Sequence, residues 1–129
     1  MPQIYVISDD EETKNILFKH SPDLFGDMLI EIVERGFGLE GKDDVAFTGV
    51  QAAVWTKGES NVQIEIRYTA GMDEYDQGKP FDPSREEQKA VAKLIRQGFQ
   101  KFLDDYSLPH LTASVWFKPY YNSEFVTWF

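Results

Sequence analysis

The sequence predicts an α/β (α+β) domain of two tandem βαβ units, a four-stranded sheet with two helices on one face. Three observations point there. Four short segments rich in branched and aromatic residues read as strands, and two longer ones repeat their apolar residues at three and four. These segments follow one another as strand–helix–strand, twice. The 129 residues suit one domain, residues 1–129, with halves at 1–58 and 59–129.

The first strand is read at residues 3–7 (QIYVI), followed by a polar run, SDDEETKN, and a brief apolar patch at Ile16–Phe18. Ser21-Pro22-Asp23 is a helix start: Ser caps, Pro suits the first helical position, and Asp favours the first turn. Leu24, Phe25, Met28, Leu29, Ile32 and Val33 then fall on one helical face, and Gly36 and Gly38 end the helix. Residues 45–57 form the second strand segment, with Gln51, Ala53 and Trp55 on one side and Val50, Ala52 and Val54 on the other. The third strand, residues 62–69, alternates cleanly: Val62, Ile64, Ile66 and Tyr68 against Gln63, Glu65, Arg67 and Thr69.

A long irregular stretch, residues 70–83, precedes a second helix at 84–105. Ser84 with Glu87 fits a reciprocal cap, and Asp82-Pro83 is an equally good start. Its buried face is expected to be Val91, Leu94, Ile95, Phe99, Phe102 and Tyr106. A last strand is read at 111–117, followed by an aromatic tail through Phe129. With both helices on one face, the other carries Gln63, Glu65, Arg67 and Thr69 beside Gln51 and Trp55. That mixed face suits a subunit interface, or lies open to water.

Composition excludes whole classes of function. Twenty-two acidic residues against 13 basic ones give a net charge of −9, a field that repels phosphate backbones, and no Lys/Arg cluster is visible to offset it. Nucleic acid is therefore not an expected partner. The absence of cysteine removes disulfides, zinc–thiolate sites, iron–sulfur clusters and thiol nucleophiles. The opening MPQIYVISDD lacks the pattern of a signal peptide, and no apolar run approaches the roughly 20 residues that span a bilayer. The expected location is the cytoplasm, with no membrane partner. Ten Phe, six Tyr and three Trp are more rings than a small core needs, so some are expected at a pocket or subunit interface.

Dinucleotide, phosphate-loop, zinc-protease and serine-hydrolase motifs are all missing. His20 and His110 read as ordinary residues at element ends, so neither a metal nor a cofactor is expected. The informative feature is Pro2. Removal of Met1 leaves it a secondary amine that starts directly on a strand and is held by the sheet. An α-amine titrates at about 8, and an apolar pocket or a nearby positive charge lowers that. Such an amine is suited to moving protons between carbons next to a carbonyl. Trp116, Phe117, Tyr120 and Tyr121 either wall such a pocket or pack in the core or between subunits. Arg67 and Lys118 suit either an anion contact or, respectively, an interface salt bridge and plain solvent exposure.

An ordered set of short matches spans nearly the whole chain: Met1-Pro2-x-Ile4-Tyr5-Val6, Pro22-Asp23-Leu24-Phe25, the Gly49-Val50 step and the strand Val62–Thr69. Gly78-Lys79-Pro80-Phe81 before Ser84-Arg85-Glu86-Glu87-Gln88, and Trp116-Phe117-Lys118 through Asn122 and Phe125, continue it. In these features the chain resembles the tautomerase superfamily, most of all its 5-carboxymethyl-2-hydroxymuconate isomerase branch and more distantly macrophage migration inhibitory factor. The resemblance implies a homotrimer of βαβ pairs and a cofactor-independent tautomerase or isomerase acting on a small enol or unsaturated keto acid. It implies Pro2 as general base and then general acid.

Where the branch has carboxylate-binding arginines this chain has Gln51 and Lys79, and it has none at Ala53. Gln51 donates a hydrogen bond without charge, and Lys79 lacks the planar two-pronged fit to a carboxylate. A monocarboxylate or neutral carbonyl substrate is thus expected rather than a dicarboxylate. The acidic Asp73, Glu74 and Asp76 either oppose an anionic ligand or form a solvated rim. Two alternatives share the element order: a non-catalytic binding or structural protein on the same scaffold, and a ferredoxin-like small-ligand binder.

Overall fold

Four strands form one mixed sheet in the order β2-β1-β3-β4 in the computed structural model, which describes residues 2–8, 11–18, 22–39, 46–52, 60–70 and 83–121. The elements are β1 (Gln3–Ser8), α1 (Glu11–Leu17), α2 (Pro22–Gly36), β2 (Ala46–Ala52), β3 (Val62–Ala70), α3 (Arg85–Asp105) and β4 (Ala113–Tyr121). β1 runs parallel to β2, β3 runs parallel to β4, and the two pairs meet along the antiparallel β1–β3 seam. Each βαβ unit therefore keeps its own strands adjacent. A ferredoxin-like sandwich splits each unit by a strand of the other, so this strand order overturns that alternative.

One sheet face is apolar by register. Ile4, Val6 and Ser8 of β1 stand opposite Ile66, Ile64 and Val62 of β3, which stand opposite Phe117, Val115 and Ala113 of β4. Phe25, Leu29 and Val33 of α2 and Val91, Ile95, Phe99, Phe102 and Leu103 of α3 pack onto this face in one cluster. Each such side chain, fully buried, contributes about 1.5–3 kcal/mol. Rings join the helices: Phe25 meets Phe18, Phe99 and Phe102 at centroid separations of 5.9, 5.9 and 5.4 Å. Phe37 packs edge-on against Phe117 at 6.0 Å, so Phe117 belongs to the rim of the core. The expected surplus of rings is thus partly absorbed by the helix layer.

Helix ends follow local chemistry. Ser84 caps α3 reciprocally with Glu87: the Glu87 N–H donates to Ser84 Oγ at 3.1 Å, and the Ser84 N–H donates to Glu87 Oε1 at 3.3 Å. α2 closes on Gly38 at φ 68°, where the Leu39 N–H reaches the Glu34 carbonyl at 2.7 Å and the Gly38 N–H reaches that of Arg35 at 3.3 Å. A left-handed residue makes both bonds possible, and glycine adopts it without steric cost.

The structure differs from the sequence reading at three places: the run after β1, the buried positions of the long helices and the end of β4. The polar run after β1 folds in part as α1, a third helix that buries only Thr13 and Leu17. Leu94 is exposed, and Leu103 takes a core place instead; Leu24, expected on the apolar face of α2, is also exposed. β4 extends four residues past the expected Phe117, to Tyr121, because its pairing with β3 continues through Ala70. β2 is described only to Ala52, so Ala53, Val54 and Trp55 lie outside the described residues.

Candidate functional site

The helix-free face of the sheet is a grid set by strand register. Gln3, Arg67 and Lys118 form one row across β1, β3 and β4; Tyr5, Glu65 and Trp116 form the next; Ile7, Gln63 and Ser114 form the third. Glu65 occupies the middle of the grid and is only 1% exposed, although among the described residues no helix packs on this face. Its neighbours in the grid are Tyr5 and Trp116 across the strands and Gln63 and Arg67 along its own.

Burying a carboxylate is costly unless opposite charge and hydrogen bonds replace the lost water. Both are present. Arg67 donates to Glu65 Oε1 from Nε at 3.4 Å and from Nη2 at 3.1 Å. Lys118 Nζ reaches the same oxygen at 3.1 Å, and Gln63 Nε2 donates to Oε2 at 3.4 Å. Tyr5 lies under the guanidinium, its ring centroid 3.7 Å from Arg67 Cζ, which adds a cation–π contact and fixes the plane of the group. Among the described residues, two cations against one carboxylate leave one positive charge in excess, on a chain whose net charge is −9.

Pro2 is buried and immediately precedes Gln3, the β1 partner of Arg67. By alternation along the strand it shares the helix-side parity of Ile4 and Val6, at the start of β1. The next β3 residue, Tyr68, is buried on the helix side, and its hydroxyl accepts from Gln88 Nε2 at 3.2 Å. Gln88 Nε2 also reaches the Pro83 carbonyl at 3.4 Å, which ties the start of α3 to this end of the sheet.

The residues singled out in the sequence thus separate into groups. Arg67 and Lys118 share one row at the Pro2 end, and Trp116, 53% exposed with its indole N–H donating to Ser114 Oγ at 3.2 Å, stands one row away. Gln51 pairs with Ile7, roughly 16 Å along β1 from Pro2 at about 3.3 Å per residue, so one protomer does not bring it to Pro2. A register shift between Ile4 and Tyr5 sets that pairing and puts Gly49 opposite Tyr5. Lys79, Asp73, Glu74, Asp76 and His20 lie outside the described residues, and the side chains of Tyr120 and Tyr121 do too. His110 is exposed beyond α3, and among the described residues no three His, Asp or Glu side chains gather as metal ligands.

Two features escaped sequence reasoning. Glu65 is one, and its only sequence signal is a charged residue flanked at two-residue spacing by Gln63 and Arg67. The other corrects the statement that basic residues do not cluster: Arg85, Lys89, Lys93 and Arg96, spaced four, four and three apart, line one exposed stripe of α3. Glu86 offsets Lys89 within it at 3.8 Å.

This architecture is a tautomerase-like fold. Two solved structures carry the likeness, each at 14% sequence identity, a TM-score of 0.50 and 95% coverage of this chain. One is a Q0 fused 4-OT, a wild-type symmetric trimer, with 86% of its chain covered; the other is the macrophage migration inhibitory factor of Toxoplasma gondii, with 92% covered. No family model and no curated protein sequence matches the chain. Among the described residues no helix is long and apolar enough to cross a membrane.

Proposed function

We propose that this protein is a cofactor-independent tautomerase or isomerase, related to the 5-carboxymethyl-2-hydroxymuconate isomerase branch, working as a homotrimer with Pro2 as its base. The observation that carries the reading is a tautomerase-like fold that buries Pro2 at the start of β1, one residue from the row that holds Arg67 and Lys118. The neutral secondary amine removes a proton from the carbon between the carbonyl and the C=C of a small unsaturated keto acid. The electron pair moves onto the carbonyl oxygen as a dienolate, and the ammonium then returns the proton to the far carbon of the original C=C, which shifts into conjugation with the carbonyl. An enol substrate is protonated on carbon by the same ammonium after loss of its hydroxyl proton. Proton count is unchanged, so no cofactor enters. Excess positive charge near Pro2 favours the neutral amine and steadies the enolate. Arg67, Lys118 and Trp116 are the substrate contacts from one protomer, and Gln51 and Lys79 are those reached through assembly or through the stretch before α3.

A non-catalytic protein on the same scaffold is the second reading, favoured by glutamine and lysine standing where the branch has arginines. Native mass spectrometry of untagged protein separates the two. A trimer whose protomer lacks the mass of Met1 is expected. Retained Met1 makes Pro2 an amide, which has no basic lone pair, and that result contradicts the enzyme.

A further inference from the structure

We infer that Arg67 and Lys118 form a binding seat for the carboxylate of a small monoanionic acid, with buried Glu65 as its positioning residue. The seat rests on the proposed function in that Arg67 and Lys118 are its substrate contacts; because binding needs neither Pro2 nor turnover, failure of the seat and failure of the isomerase are read separately.

The first argument is charge. Both cations spend their contacts with Glu65 on a single oxygen, Oε1, while Oε2 accepts from Gln63. Arg67 therefore does not use its two-pronged geometry on Glu65, and N–H donors of both cations remain to be met by water or a ligand. One net positive charge is matched by one carboxylate, and a dianion would exceed it.

The second argument is access and position. Arg67 is 30% and Lys118 45% exposed, whereas Glu65 beneath them is sealed. They occupy paired positions on adjacent parallel strands, about 4.8 Å apart at the backbone. Such close like charges repel, and the shared Glu65 oxygen is what holds them side by side. The third argument is shape: Tyr5 stacks against Arg67 from one side, and exposed Trp116 offers an apolar surface one row away. A short acid with a compact apolar body fits this setting, and a bulky polyanion does not.

Titration of the full chain with sodium pyruvate, followed by amide NMR, tests the seat, with neutral pyruvamide as the control. Saturable shifts are expected at Tyr5, Arg67, Trp116 and Lys118 with pyruvate alone. R67Q and K118Q are each expected to weaken binding roughly tenfold, the loss of one charge-assisted hydrogen bond. Both side chains are partly exposed, and dispersion in the same spectra reports that the variants are folded. E65Q keeps an acceptor oxygen but removes its charge, raising the excess from one to two; it is expected to turn preference several-fold from pyruvate towards malonate. A purely structural Glu65 leaves that preference where it is. Equal shifts with pyruvamide, or unchanged pyruvate affinity in R67Q and K118Q, overturn the seat. So does a fall in oligomeric state in those variants without any pyruvate shift, which assigns the cations to a carboxylate side chain of a second copy.

Discussion

The two faces of the sheet bury their central residues by different means. On the helix side, Ile64 is sealed by α2, α3 and apolar neighbours on β1 and β4. One residue on, Glu65 is sealed almost as completely, but on the opposite sheet face and with two cations on one oxygen. The helix side is held by area removed from water, which is non-directional and tolerant of detail. The open side is held by directional contacts whose desolvation cost nearly cancels their attraction. A fold does not need the second arrangement, so it is the place to look for function.

Substitution at these two neighbours separates the faces. Ile64→Ala is expected to cost about 2–5 kcal/mol in urea denaturation, through lost transfer energy and the cavity left behind. Pyruvate shifts at Arg67 and Lys118 should persist in whatever fraction remains folded. Glu65→Gln is expected to cost less, about 1–2 kcal/mol, because Arg67 and Lys118 retain enough exposure to recover water. A larger loss for Glu65→Gln than for Ile64→Ala breaks the distinction, since it makes the polar row the main support of the fold.

Local chemistry was legible along the chain, and long-range register was not. The alternation from Val62 to Tyr68, the Ser84–Glu87 cap and the stop after Gly36 all depend on residues within a few positions, and all three are present. α1 escaped because seven residues with only Thr13 and Leu17 inward give too little apolar period to detect. Leu94 and Leu103 exchanged places because α3 buries residues 91, 95, 99, 102 and 103, a path fixed by where α2 and β4 touch it. At the site, Pro2, Arg67, Trp116 and Lys118 stood out by residue type. That Glu65 would be buried between two of them depends on β1–β3 and β3–β4 pairings, which join residues up to about 60 and 50 positions apart. The stripe on α3 emerged for a related reason: its charges are dispersed in sequence and gather only once wound at 3.6 residues per turn.

The most direct test of the catalytic claim is solvent deuterium exchange into the methyl group of pyruvate, followed by proton NMR. It compares the protein with Pro2→Ala, both verified by intact mass to lack Met1. Exchange above the buffer rate is expected for the protein, falling at least about 100-fold in Pro2→Ala, the usual size of a positioned acid–base contribution. Equal rates in the two chains contradict Pro2 as the base.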